Sequence, residues 1–254
     1  MVKSIFSLLL CMGLVACAPT PTATPTKSTI RVTTTPALES LVTHWAIEYM
    51  DAQDMVRIDL RILPLEGALD AAEGGTVDVI VAGTQPPRGW FATPLSLEGV
   101  AVVVHPTNSI RSLKLEDLAA LFHGDNDSWD EVGGDDLPVQ PVIPLPGDEI
   151  REYFNTLVLE GEGFSPDAFM APSPFAMVAM VAEDEGAVGL MPLSQTTDVV
   201  RVVRVDGVLP QATTVGDGRY PLHIEILALA LEQPVGATYE WLAWLQNSLS
   251  IDNP

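Results

Sequence analysis

Apolar positions recur along this chain with two alternating periods. Arg57 to Leu63 places Ile58, Leu60 and Ile62 two apart, the mark of a half-buried strand. Ala37 to Met50 places Leu38, Leu41, Trp45 and Tyr49 three or four apart, the mark of an amphipathic helix. The same reading gives strands at Thr29–Thr33, Asp78–Ala82, Gly99–His105, Val139–Ile143, Ala187–Met191 and Val199–Val205. It gives helices at Leu69–Glu73, Ser112–Phe122, Arg151–Leu159, Phe175–Glu183 and Tyr239–Leu249. Strands alternating with helices predict an α/β fold with helices covering a largely parallel sheet.

The first residues obey a different rule. Lys3 is followed by an almost uninterrupted apolar segment from Ile5 to Ala16, too short to span a bilayer and of signal-peptide length. It ends in Leu14-Val15-Ala16-Cys17, which resembles a bacterial lipobox, so residues 1–17 read as a lipoprotein signal with Cys17 as the lipidated residue. Two acyl chains there would anchor the protein stably on the extracytoplasmic face of the cell membrane. Residues 18–28 alternate proline and threonine and have nothing to bury, which predicts an extended tether. Cys11 lies in the part that would be removed, so no cysteine is left in the body for a disulfide, a zinc site or a nucleophile.

Charge narrows the function. Twelve Lys and Arg against 34 Asp and Glu give a formal net charge of −22, which argues against nucleic acid as a partner. The four histidines have no H-E-x-x-H spacing, and there is no phosphate-binding G-x-x-x-x-G-K-[ST]. Asp125 to Asp130 brushes against a calcium loop, but Trp129 takes a ligand position and no glycine stands sixth, so a solvated acidic turn is the better reading. No catalytic set, metal site or cofactor is expected.

Several segments, taken in order, resemble the solute-binding proteins of phosphate ABC transporters. They are Leu95 to Asn108 (LSLEGVAVVVHPTN), Leu113 to Leu118 with Leu121-Phe122-His123-Gly124, Trp129 to Gly134, Glu185 to Gly189, and Val205 to Val208 with Gly218-Arg219-Tyr220-Pro221-Leu222. The resemblance implies a two-lobed, type II periplasmic-binding-protein-like α/β fold with ligand in the cleft between lobes. Residues 29–104 and 195–254 would form one lobe and 105–194 the other, with hinge crossovers near Val104 and Met191. It also implies a small solute as ligand, ABC permease subunits as partners, and a monomer.

In that family an oxyanion is held by hydroxyls and by backbone N–H groups at helix N-termini. Thr33-Thr34-Thr35-Pro36 stands where the first such loop belongs, either contacting ligand or capping the helix. Thr84 and Gln85 stand at the second loop, where the family's acidic acceptor is missing; Arg88 follows as a candidate cation. The third loop, Pro144 to Ile150, departs most. Pro144 replaces the anion-gripping Arg, Asp148 replaces Ser and Ile150 replaces Thr, while Gly147, Asp148 and Glu149 remain as candidate ligand residues. Carboxylates beside a bound anion repel it, so phosphate is disfavoured and another oxyanion or polar solute is expected. Asp148 has a second role open to it, capping the helix that follows. A sensor or surface-interaction module with altered ligand binding is the alternative function.

Overall fold

The computed structural model describes residues 27–251. The expected signal, the tether up to residue 26 and Cys17, the residue expected to carry lipid, lie outside them. The described chain folds into two lobes built on one sheet that runs through both.

The first lobe begins with β1 (Ser28–Thr34), a short 3-10 turn (Pro36–Leu38), α1 (Glu39–Ala52), β2 (Val56–Ile62), α2 (Leu65–Glu73) and β3 (Val79–Ala82). β4 (Phe91–Val104) then crosses into the second lobe. That lobe contains β5 (Ser112–Leu113), α3 (Leu115–His123), β6 (Gln140–Pro144), α4 (Glu149–Leu157), β7 (Phe169–Ala171), α5 (Pro174–Glu183) and β8 (Ala187–Pro192). The rest is β9 (Arg201–Val202), β10 (Arg204–Val205), α6 (Ala212–Gly216), β11 (His223–Ala230) and α7 (Gly236–Ile251). Among the described residues no helix is long and apolar enough to cross a membrane.

The strand order is β2-β1-β3-β11-β4-β8-β6-β7, with β9 also on β4. The outer pairs in each lobe are parallel, as the strand–helix alternation predicts. The pairs around the crossing strands are antiparallel, so the sheet is mixed rather than largely parallel. The antiparallel pairs come from β4, which runs antiparallel to β8 and β9, and from β11, which the periodicity did not reveal and which inserts antiparallel between β3 and β4. Its residues from Ile226 to Ala230 are all buried, so they show no alternation to read.

Continuous apolar runs arise where both sheet faces are covered. In β4, Val100, Val102 and Val104 join one core cluster while Ala101 and Val103 join another. In β3, Val79 and Val81 pack on α1 and α7, and Ile80 and Ala82 pack toward α2.

β4 changes partner between Gly99, which faces His223 of β11, and Val100, which faces Pro192 of β8. This change of partner comes earlier than the crossover read near Val104. Val200 to Leu222 packs with the second lobe's cluster, and the chain recrosses beside Val100, whose N–H donates to the Leu222 carbonyl at 2.8 Å. The Tyr220 hydroxyl donates to the Val100 carbonyl at 2.8 Å, fastening the two crossings together.

The turns that carry the family resemblance are packing devices. Trp129 is almost wholly buried and its indole N–H donates to the Gly186 carbonyl at 2.9 Å. A Cβ on Gly186 would collide with the Pro138 carbonyl oxygen, a backbone atom that cannot swing away. Gly186→Ala is therefore expected to destabilise the protein by about 1–3 kcal/mol in urea unfolding.

Candidate functional site

The cleft is formed where the loop after β1 and the loop after β3 face the N-termini of α4 and α5. It keeps two openings. One, of about 110 Å3, is lined by Thr35 and Pro36 on one side and by Pro144 to Asp148 and Ala171 to Pro174 on the other. The second, of about 360 Å3, is lined by Gly83 to Gln85 together with Glu149, Tyr153 and His223.

The three threonines of the first loop divide their roles. Thr33 Oγ1 donates to the Arg61 carbonyl at 3.1 Å and Thr34 Oγ1 to the Val81 carbonyl at 2.8 Å. Both are fully buried and tie β1 to the strands on either side of it. Thr35 alone reaches across the cleft, where its hydroxyl donates to Glu149 Oε1 at 2.7 Å. Thr84 and Gln85 line the larger opening. Arg88 is exposed and lines neither opening, and among the residues lining them there is no lysine or arginine.

At the third loop Gly147 adopts a left-handed φ of +82°, which lets the chain turn sharply into α4. Asp148 is the N-cap of α4 and accepts from the Ile150 N–H at 2.9 Å. Burial, the largest influence, nonetheless pushes its carboxyl above the ordinary carboxylate range. Glu149 therefore lies inside the helix, which begins before the Arg151 that the periodicity suggested.

The Glu149 side chain is only 5% exposed. A Cβ on Gly83 would lie 3.4 Å from its carboxyl carbon, so the carboxyl is wedged against the loop of the first lobe. Burial pushes this group up to about 7, against the Thr35 hydrogen bond and the Gly83 backbone N–H, and the neighbouring Asp148 charge adds to the rise. Oε2 is buried without a hydrogen-bond partner among the described residues.

Donors for an anion are few. The Ile150 N–H at the start of α4 is taken by Asp148. At α5 the Ser173 hydroxyl accepts from the Ala176 N–H at 3.2 Å, and Pro174 in the first turn brings no N–H at all. Seven prolines line the smaller opening, further depleting it of backbone donors. The cleft is thus proline-walled, lacks a cation and carries a buried carboxyl.

Several lining residues were missed in the sequence. Tyr153 and His223 sit on α4 and β11, where His223 N–H donates to the Tyr153 hydroxyl oxygen at 3.1 Å. No local signal marks them, because they meet only through the unread β11. The Pro144-Leu145-Pro146 and Pro172-Ser173-Pro174 steps were visible, and their shared P-x-P form was the available clue to two cleft walls. At the crossing, buried Glu98 accepts from the Ser194 N–H at 3.0 Å, and burial pushes its carboxyl upward.

Known proteins share this architecture. The chain is 27% identical over 158 residues to the phosphate-binding protein PstS of Bacillus subtilis, covering 60% of this chain and 51% of that protein. It thus spans about half the length of the curated relatives it matches. A Clostridium perfringens structure described as a phosphate ABC transporter substrate-binding protein with bound phosphate superposes with a TM-score of 0.80. The two are 19% identical over 89% of this chain and 97% of that one. An ABC-type phosphate transport receptor from Vibrio cholerae gives 0.72 at 18% identity, over 88% and 97% of the two chains. The match to the PBP superfamily domain runs over residues 19–248, nearly the whole chain, and the protein belongs to that family.

Proposed function

We propose that this protein is the extracytoplasmic solute-binding component of an ABC transporter, anchored through lipid on Cys17. Residues 28–99 and 223–251 act as one lobe and 100–222 as the other, closing over a small polar solute. We read it as a monomeric binding protein rather than an enzyme, handing its solute to permease subunits. The observation that carries this reading is the Thr35–Glu149 hydrogen bond, which joins the lobes directly across the cleft. A solute touching both lobes favours the same closed arrangement through its differential contacts. Phosphate is a poor fit, because a buried carboxyl lies beside Thr35 and the cleft walls offer no lysine or arginine.

The same contact favours a second reading, a sensor or surface-interaction module, because one of the protein's own side chains takes the place beside Thr35. Thermal unfolding and small-angle scattering with a panel of oxyanions, amines, polyols and amino acids separate the two. The transport reading expects at least one solute to raise Tm and shrink the particle. Stabilisation of about 2.7 kcal/mol is expected at 100 times its Kd. Silence across the panel, from a particle already compact, supports the sensor.

A further inference from the structure

We propose that the larger opening of the cleft, between the Gly83–Gln85 loop, the first turns of α4 and the start of β11, binds a small organic ammonium ion that docks on Glu149. The inference rests on the solute-binding reading above and names the class of solute. Its first support is the composition of the opening. Glu149, Glu152 and Glu225 line it together with His223, and no lysine or arginine does. Glu152 is only weakly engaged, accepting the Gly147 N–H at 3.3 Å, and Glu225 is exposed.

The second support is independent of that acidity. Glu149 is nine-tenths buried and holds one oxygen on Thr35; the Gly83 backbone N–H lies near the carboxyl, yet Oε2 makes no hydrogen bond of good geometry among the described residues. A buried acceptor without a donor carries a desolvation cost, which an N–H from a solute would relieve. An ammonium group supplies both the missing donor and the missing positive charge.

Size and spacing exclude a bare metal ion as the better occupant. Among the described residues, no three His, Cys, Asp or Glu side chains converge closely enough to hold one. The opening of about 360 Å3 instead falls in the range of small-molecule sites. Tyr153 adds an aromatic wall to it.

The test uses the detergent-solubilised full chain with 1,4-diaminobutane and 2-aminoethanol as probes, NaCl at matched ionic strength as control, and sodium phosphate and sorbitol as comparisons. At least one amine is expected to raise Tm above the NaCl control, and phosphate is not. Glu149→Gln is expected to weaken amine binding at least tenfold by calorimetry. Glu225→Gln, at an exposed position that keeps the fold, is expected to weaken it by a smaller factor. Silence to both amines overturns the proposal, as does equal amine binding by the wild type and both variants. Stabilisation by phosphate or a neutral polyol with silence to the amines removes this inference and leaves the solute-binding reading standing. Silence to every solute removes both.

Discussion

Replacing Glu149 by glutamine is expected to abolish most of a stability loss that the wild-type protein suffers as the pH rises from about 5 to 8. The unfolded chain releases this proton near 4.5, whereas burial in the fold pushes the group up to about 7. Between those values the folded protein holds a proton that the unfolded chain has already lost. Raising the pH therefore favours unfolding. The group's contribution is intact below about pH 4.5 and is lost as the pH rises through about 7. At 1.36 kcal/mol per pH unit the difference between wild type and variant should change by about 3 kcal/mol. Urea unfolding at pH 5, 6.5 and 8 reads this directly, with the variant gaining on the wild type toward pH 8. Asp148, Glu152, Tyr153, His223 and Glu225 surround the group and are common to both proteins. Parallel pH profiles would mean that Glu149 is solvated and does not bridge the lobes.

Trp129→Ala is expected to cost about 3–5 kcal/mol, enough to unfold the second lobe at modest urea concentration. The indole is 1% exposed, sits in the same cluster as Phe122, Phe154 and Ile110, and donates to the Gly186 carbonyl. Its removal leaves a large cavity and a buried acceptor without its donor. Trp129→Phe keeps most of the volume and loses only the hydrogen bond, so it should cost markedly less. Equal losses for the two variants would show that the hydrogen bond, and not the packing, holds this turn.

The same residues explain what the sequence disclosed and what it withheld. Trp129, the Gly133–Gly134 turn and Gly186 are local packing solutions that need particular residue types, so their spacing is legible as a resemblance. The elements with one wet face were legible too: Ile58, Leu60 and Ile62 in β2, and Leu38, Leu41, Trp45 and Tyr49 around α1. β11 was not: its alternating start at His223–Ile226 is short, and its Ile226–Ala230 run, buried throughout, gives no period. With it went the antiparallel pairs that β11 makes with β3 and β4 and the meeting of Tyr153 with His223.

The candidate site was partly legible. The Thr-rich loop and the departures at Pro144, Asp148 and Ile150 pointed to the cleft and to a loss of anion-binding groups. The sequence did not separate Thr35 from Thr33 and Thr34, since the difference lies in which neighbour each hydroxyl meets: a strand carbonyl or a carboxyl from the other lobe. Nor did it show Glu149 turned into the cleft rather than to solvent. That orientation is set by tertiary contacts, the Thr35 hydrogen bond and packing beside the Gly83 loop of the first lobe.

This family member keeps the two-lobed architecture of phosphate binders, and we infer from its cleft walls, which carry a buried carboxyl and no lysine or arginine, that it does not bind phosphate. Calorimetric titration of the full chain with sodium phosphate at pH 8, where Glu149 is expected to be ionised, tests it most directly. No saturable heat is expected up to about 1 mM phosphate, a free energy of binding weaker than about −4 kcal/mol. Saturable binding with a Kd of about 10 µM or tighter would contradict it, and would mean that donors in the cleft hold the anion despite the carboxyl at Glu149.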